Sequence, residues 1–182
     1  MKSLGIDLGT DAALACVELA AGRYRLLANV AIPSAGKLDV RLERLDAMLE
    51  VWLADHRPDV VATEQTFIAA TGDQRRNAAK SQIGLQTVVR LACRRHGVRY
   101  EPLAANTIKL CVAGHGRADK ERVGRAVVSR YGVGVGTSEH MRDAVAIAHT
   151  ALVRLETERK LAAQGVLAVG KGKGKRARAA TP

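Results

Sequence analysis

Four residues far apart in this 182-residue chain carry side chains suited to a single piece of chemistry: Asp7, Glu64, His140 and Asp143. Asp7 ends the run Lys2-Ser3-Leu4-Gly5-Ile6 and is followed by Leu8 and Gly9. A carboxylate therefore stands at a strand end, beside a glycine that lets the backbone bend and approach a ligand. Glu64 closes a second apolar run, Asp59-Val60-Val61-Ala62-Thr63, in the same way. A carboxylate held so can bind a hard cation such as Mg²⁺, which in turn holds a phosphate. Two carboxylates at one edge repel each other, and a divalent cation neutralises them without a proton. His140 and Asp143 stand at i and i+3, neighbours on one helix face. The first turns of a helix favour anions and disfavour imidazolium, and a neutral imidazole can ligate a metal or accept a proton from water. Each residue also has an ordinary structural reading. Asp7 suits a turn, Glu64 a strand-end salt bridge, and His140 with Asp143 the start of any helix.

The elements that must bring these groups together are legible from periodicity. Residues 3–7, 13–19 and 24–32 read as strands, with Ala21-Gly22 as a hairpin turn between the last two. Leu42, Leu45, Leu49 and Trp52 recur at helical spacing, and Pro58 ends that region. Residues 59–64 form a buried strand, 75–96 a helix stopped at Gly97, and 98–101 a fifth strand. Asn106 is placed to cap a short helix to Val112, and Asp119 another to Tyr131. The last long helix starts near Thr137 or Ser138, with Met141, Val145, Ala148, Leu152 and Leu155 along one stripe. This order predicts an α/β fold, a mixed sheet with helices on its faces. If the strands ending in Asp7 and Glu64 lie parallel side by side, both acids reach the edge where open α/β sheets place ligands.

Composition limits the partners. The chain is 47% hydrophobic but only 3% aromatic, so its core is aliphatic, and its net charge is +11. Lys171, Lys173, Lys175, Arg176 and Arg178 crowd the end with no acid among them, and the remainder is still basic. A basic body with a more basic tail suits a polyanion, because each neutralised phosphate releases counterions, although a solubility surplus explains charge alone. The expected organisation is one domain over residues 1–165 and a basic, disordered tail over 166–182. Cys16, Cys93 and Cys111 are scattered and lie in apolar patterns, with neither metal-site nor disulfide spacing. They fit a reducing compartment. No basic-then-apolar leader and no long apolar run is present, so neither secretion nor membrane spanning is expected.

Taken in order, the motifs resemble the RuvC family of Holliday junction resolvases, within the ribonuclease H-like nucleases. They are Gly5-Ile6-Asp7-x-Gly9, Pro58-Asp59-x-Val61-Ala62-x-Glu64-Gln65-x-Phe67 and Ile108-Lys109. Gly114-x-Gly116-x-Ala118-Asp119-Lys120-x-x-Val123 and His140-x-x-Asp143-Ala144-x-Ala146-Ile147-Ala148 complete the series. The resemblance implies a five-stranded ribonuclease H-like sheet of three antiparallel and two further parallel strands. It makes Asp7, Glu64, His140 and Asp143 the metal-binding catalytic set. Two Mg²⁺ ions, replaceable by Mn²⁺, would sit roughly 3.5–4 Å apart, one activating water and the other stabilising the leaving oxygen. Cleavage would leave a 5′-phosphate and a 3′-hydroxyl, with paired symmetric nicks in four-way DNA made by a homodimer in a bacterial, or phage-infected bacterial, cytoplasm. A branch-migration helicase is a further expected partner.

Lys109 and Lys120 fall on the family's two lysines near the active site, where positive charge holds the scissile phosphate. Phe67 falls where relatives carry an aromatic that wedges into the junction, and base stacking on such a ring is worth roughly 1–3 kcal/mol. A core or dimer-interface phenylalanine is the plainer alternative. Arg75 and Arg76 look like phosphate contacts. With Lys80, Lys109, Arg117, Lys120 and Phe67 they make up the expected DNA-contacting set.

Departures are local. Leu8 stands where the family usually has proline, and residues 69–81 do not reproduce the usual sequence before the next helix. That region keeps open a relaxed, phage-type endonuclease for many branched DNAs. Two further readings share parts of the pattern. Gly5-Ile6-Asp7-Leu8-Gly9-Thr10 also matches the first phosphate loop of actin and sugar-kinase-like ATPases, whose fold needs two such domains. A non-catalytic DNA-binding module would use the acids only for structural metal.

Overall fold

The computed structural model describes residues 1–9, 11–65, 73–134 and 137–165, with the backbone alone for 73–79. The expected positions of Phe67 and of the basic tail lie outside these residues, as do the side chains of Arg75 and Arg76. Five strands and five helices follow in the order β1 (Lys2–Asp7), β2 (Ala12–Ala20), β3 (Arg23–Ile32), α1 (Leu38–His56), β4 (Val60–Glu64), α2 (Asp73–Arg95), β5 (Arg99–Leu103), α3 (Ala105–Ala113), α4 (Lys120–Tyr131) and α5 (Glu139–Ala163). The sheet order is β3-β2-β1-β4-β5. β1, β2 and β3 pair antiparallel, while β1–β4 and β4–β5 pair parallel.

The β2–β3 hairpin turns at Ala21 (φ 49°) and Gly22 (φ 73°), the pair of positive angles that matches strand twist. A register shift opposite Cys16 and Val17 leaves Leu27 as an extra residue on β3, 40% exposed. Such a bulge bends an edge strand away from further pairing.

Side-chain alternation sorts the strands between two layers. Leu4, Ile6 and Val61 face α1 and α2 and pack with Leu45, Leu49, Trp52, Leu85 and Val89. Val60, Ala62 and Leu103 face the other way, among residues of α3, α4 and α5. Ser3, Gly5 and Asp7 share that second face by the same alternation. The Ser3 hydroxyl donates to the Ala148 carbonyl of α5 at 2.7 Å in a buried contact.

Side-chain caps open α4 and α5, while α1 and α3 start without one. Asp119 accepts from the Arg122 amide at 2.7 Å, so that expected cap forms, and Ser138, near which the last helix was expected to start, accepts from the Met141 amide at 3.2 Å. Asn106 does not cap. The chain passes from β5 straight into α3, and the Ala104 carbonyl accepts from the Thr107 and Ile108 amides, which leaves Asn106 inside the helix. β5 also runs to Leu103 rather than stopping at residue 101, because its pairing with β4 continues to Glu64.

Candidate active site

Parallel pairing of β1 and β4 matches Ile6 with Thr63, so the next residues, Asp7 and Glu64, stand side by side at the C-terminal ends of adjacent strands. By alternation both share the face of Gly5 and Ala62, which meets the α3–α5 layer. α5 begins directly over this edge and presents His140 and Asp143 from its first turns. Two glycines allow the approach. A Cβ on Gly5 would lie 2.2 Å from the Ala144 carbonyl oxygen and 2.3 Å from the Ala148 amide nitrogen, so α5 rests on the bare backbone of β1. A Cβ on Gly9 would lie 2.8 Å from His140 Cε1. His140 thereby reaches Asp7, with Nδ1 2.7 Å from Oδ2. With the Nδ1 hydrogen given to Asp7, Nε2 keeps its lone pair for a cation or a proton.

Asp7, Glu64, His140 and Asp143 line one recess of about 380 Å³, together with Gln65, Gln82 and Lys120. An adjoining recess of about 180 Å³ shares Glu64, Lys120 and Asp143 and adds Lys109 from α3. The structure thus gathers the four acid and imidazole groups and both lysines. Lys80 and Arg117 are exposed and line neither recess. Gln82 of α2 was not legible as a site residue, because a lone polar position on a helix carries no periodic signal. The partner of Lys120 was equally hidden: its Nζ donates to Glu139, the first residue of α5.

Electrostatics here are those of crowded acids. Burial raises the Asp143 carboxyl to about 6, with the charge of Asp7 as the next cause. Burial also raises Asp7, partly offset by the hydrogen bond and charge of His140. Glu64 goes up for the same first reason, and then because Asp7 is near. Among the described residues no three such side chains close into a finished metal cage. The donor set nonetheless suits a divalent cation. Three carboxylates with hard oxygens and one imidazole face a single recess, and the carboxyls are raised first by burial and, at Glu64 and Asp143, next by the charge of Asp7.

Beneath Glu64, the Thr63 hydroxyl lies 2.8 Å from the Tyr100 hydroxyl and accepts from Gln86 Nε2 at 3.2 Å. This half-buried link ties β4, β5 and α2 beside the recess. On the other flank, Arg41 of α1 donates to the Gly9 carbonyl at 3.4 Å.

A family model described as "Crossover junction endodeoxyribonuclease RuvC" matches residues 3–151. A protein of that name from Mycobacterium ulcerans is 34% identical over 134 residues, covering 71% of this chain and 70% of the relative. One from Parvibaculum lavamentivorans is 32% identical over 149 residues, covering 80% and 82%. Among solved structures, Thermus thermophilus RuvC in complex with Holliday junction substrate superposes with a TM-score of 0.76. It shares 27% identity and covers 87% of this chain and 96% of its own.

Proposed function

The chain belongs to the RuvC family, and on that footing we propose that it is a Holliday junction resolvase, a metal-dependent endonuclease that makes paired symmetric nicks in four-way DNA during recombination and repair. The observation that carries this reading is the meeting of Asp7, Glu64, His140 and Asp143 in one recess flanked by two lysines. These four residues would hold two Mg²⁺ ions, with Mn²⁺ able to replace them. When bound, the cations supply an activated water and a stabilised leaving oxygen.

The remaining work falls to the chain's own groups. Asp7 holds the His140 ring through Nδ1, which leaves Nε2 to ligate or to take a proton. Asp143 and Glu64 set the negative charge that draws cations into the recess. Lys120 and Lys109 stand over the same opening, where their ammonium groups hold the phosphate and its growing charge. The products are a 5′-phosphate and a 3′-hydroxyl. Phe67, Arg75, Arg76, Lys80 and Arg117 contact the opened junction or its phosphates. Residues 1–165 form the nuclease domain, and the basic tail adds sequence-independent affinity. The working form is a homodimer in a bacterial cytoplasm, acting with a branch-migration helicase. The exposure of Ile83 (41%) and Leu91 (51%) along one side of α2 supports a paired surface there.

The test is cleavage of a synthetic four-way junction by the purified protein with and without Mg²⁺, mapping both cuts. Paired nicks that need the metal are expected. Metal-independent cutting, or no effect on the junction, overturns the reading. Y-forks and plain duplex in the same assay expose a relaxed branched-DNA enzyme if they are cut as fast.

A further inference from the structure

The ammonium group that should meet DNA phosphate already has an anion. Lys120 Nζ donates a charge-assisted hydrogen bond to Glu139 Oε1. Both residues open helices, Lys120 as the first residue of α4 and Glu139 as the first of α5. Their contact lies beside the two recesses, since Lys120 lines both and Glu139 immediately precedes His140. The Lys120 side chain is 76% exposed and that of Glu139 is 48% exposed. A pair so open to water is weak and salt-screened, so another anion can replace one partner at small cost. A carboxylate and a phosphodiester also look alike to an ammonium group, each offering two oxygens that share negative charge. The α5 N-terminus gives Glu139 a favourable place when it is released.

Resting on the nuclease reading, we propose that Glu139 is a positioning residue whose carboxylate stands in for the DNA phosphate. It holds Lys120 Nζ beside the recesses and yields it when the scissile phosphodiester arrives. No covalent change is involved; one anion replaces another on Nζ. Glu139 therefore sets how strongly a phosphate must compete before Lys120 engages it.

The experiment uses the full chain in four forms: wild type, Glu139→Gln, Lys120→Ala and the double variant. Fluorescence anisotropy without divalent cation measures binding to a labelled four-way junction and to plain duplex DNA, over a range of salt. Steady-state cleavage with Mg²⁺ follows on the junction. Glu139→Gln should tighten binding to both DNAs by about threefold to fivefold and lower KM to match, with no rise in kcat. In the Lys120→Ala background the same change should move binding by less than about 1.5-fold. An equal gain in that background would show a general charge effect and overturn the proposal, as would no gain in the single variant. If the wild type neither prefers nor cuts the junction, the nuclease reading fails instead. The duplex measurements then still decide whether Glu139 competes for Lys120.

Discussion

Replacing Gly5 by alanine separates the role of close packing from that of the catalytic groups. In a strand interior the change should be mildly favourable by itself, since glycine costs roughly 0.5–1 kcal/mol relative to alanine. The structure reverses that sign. The new methyl would meet the Ala144 oxygen at 2.2 Å and the Ala148 nitrogen at 2.3 Å, and both atoms are helix backbone with no rotamer to change. Ordinary contact begins at 3.4 Å, so α5 must lift from β1 by about 1.2 Å or more, at a cost of about 1–3 kcal/mol of overpacking. Ala144 follows Asp143 directly, so the lift is felt at the recess. The 2.7 Å link between His140 and Asp7 would open beyond hydrogen-bonding reach. Misplacement on this scale costs up to about 100-fold in rate. Urea unfolding measures the stability loss. Cleavage of a four-way junction, at a temperature where the variant is folded, gives kcat. DNA affinity should change less than kcat, because Lys109 sits on α3 and Lys120 on α4. A Gly5→Ala protein with unchanged stability and unchanged kcat would refute this account of how α5 is seated.

Three further outcomes test other parts of the molecule. Asp7→Asn should abolish cleavage while leaving junction binding largely intact, and retained cutting would remove Asp7 from the metal set. His149 is buried, accepts from Arg130 at 2.6 Å and lies 2.7 Å from the Tyr131 hydroxyl, and burial followed by the Arg130 charge lowers its pKa to about 4. Its neutral form is favoured in the folded state, so this stability is complete above the unfolded value near 6.5 and is lost as pH falls towards 4. The loss is about 2 kcal/mol between pH 7 and 5. Because Asp143, raised to about 6, titrates in the same window with the opposite sign, the loss should show as the difference between wild type and His149→Gln in chemical unfolding at those two pH values; equal slopes would refute it. Removing residues 170–182 deletes Lys171, Lys173, Lys175, Arg176 and Arg178. If all five touch phosphate, the slope of log affinity against log salt should flatten by up to about 4–5, and an unchanged slope means the tail is not in contact.

Much of the site was readable because strand parity is a local property. Gly5 and Asp7 are two residues apart, and so are Ala62 and Glu64, so each acid had to share a face with the small residue before it. The cap at Asp119 was readable for the same reason, since a side chain that satisfies an amide three residues on needs no tertiary partner. Asn106 misled because a strong capping residue lost to the path of the chain out of β5. The extra length of β5 was invisible because its partner strand lies 39 residues earlier in register, Glu64 against Leu103.

From sequence alone, the alternation and spacing of side chains determined that acids sit at the ends of strands and at the start of a helix. Those are choices made within a few residues by backbone geometry. Tertiary structure alone decided which of those ends meet. The parallel docking of β4 on β1, the bare-backbone seat of α5 at Gly5 and the grip of Glu139 on Lys120 all join segments far apart in the chain. Periodicity records which way a residue faces; only packing of the whole core determines what it faces.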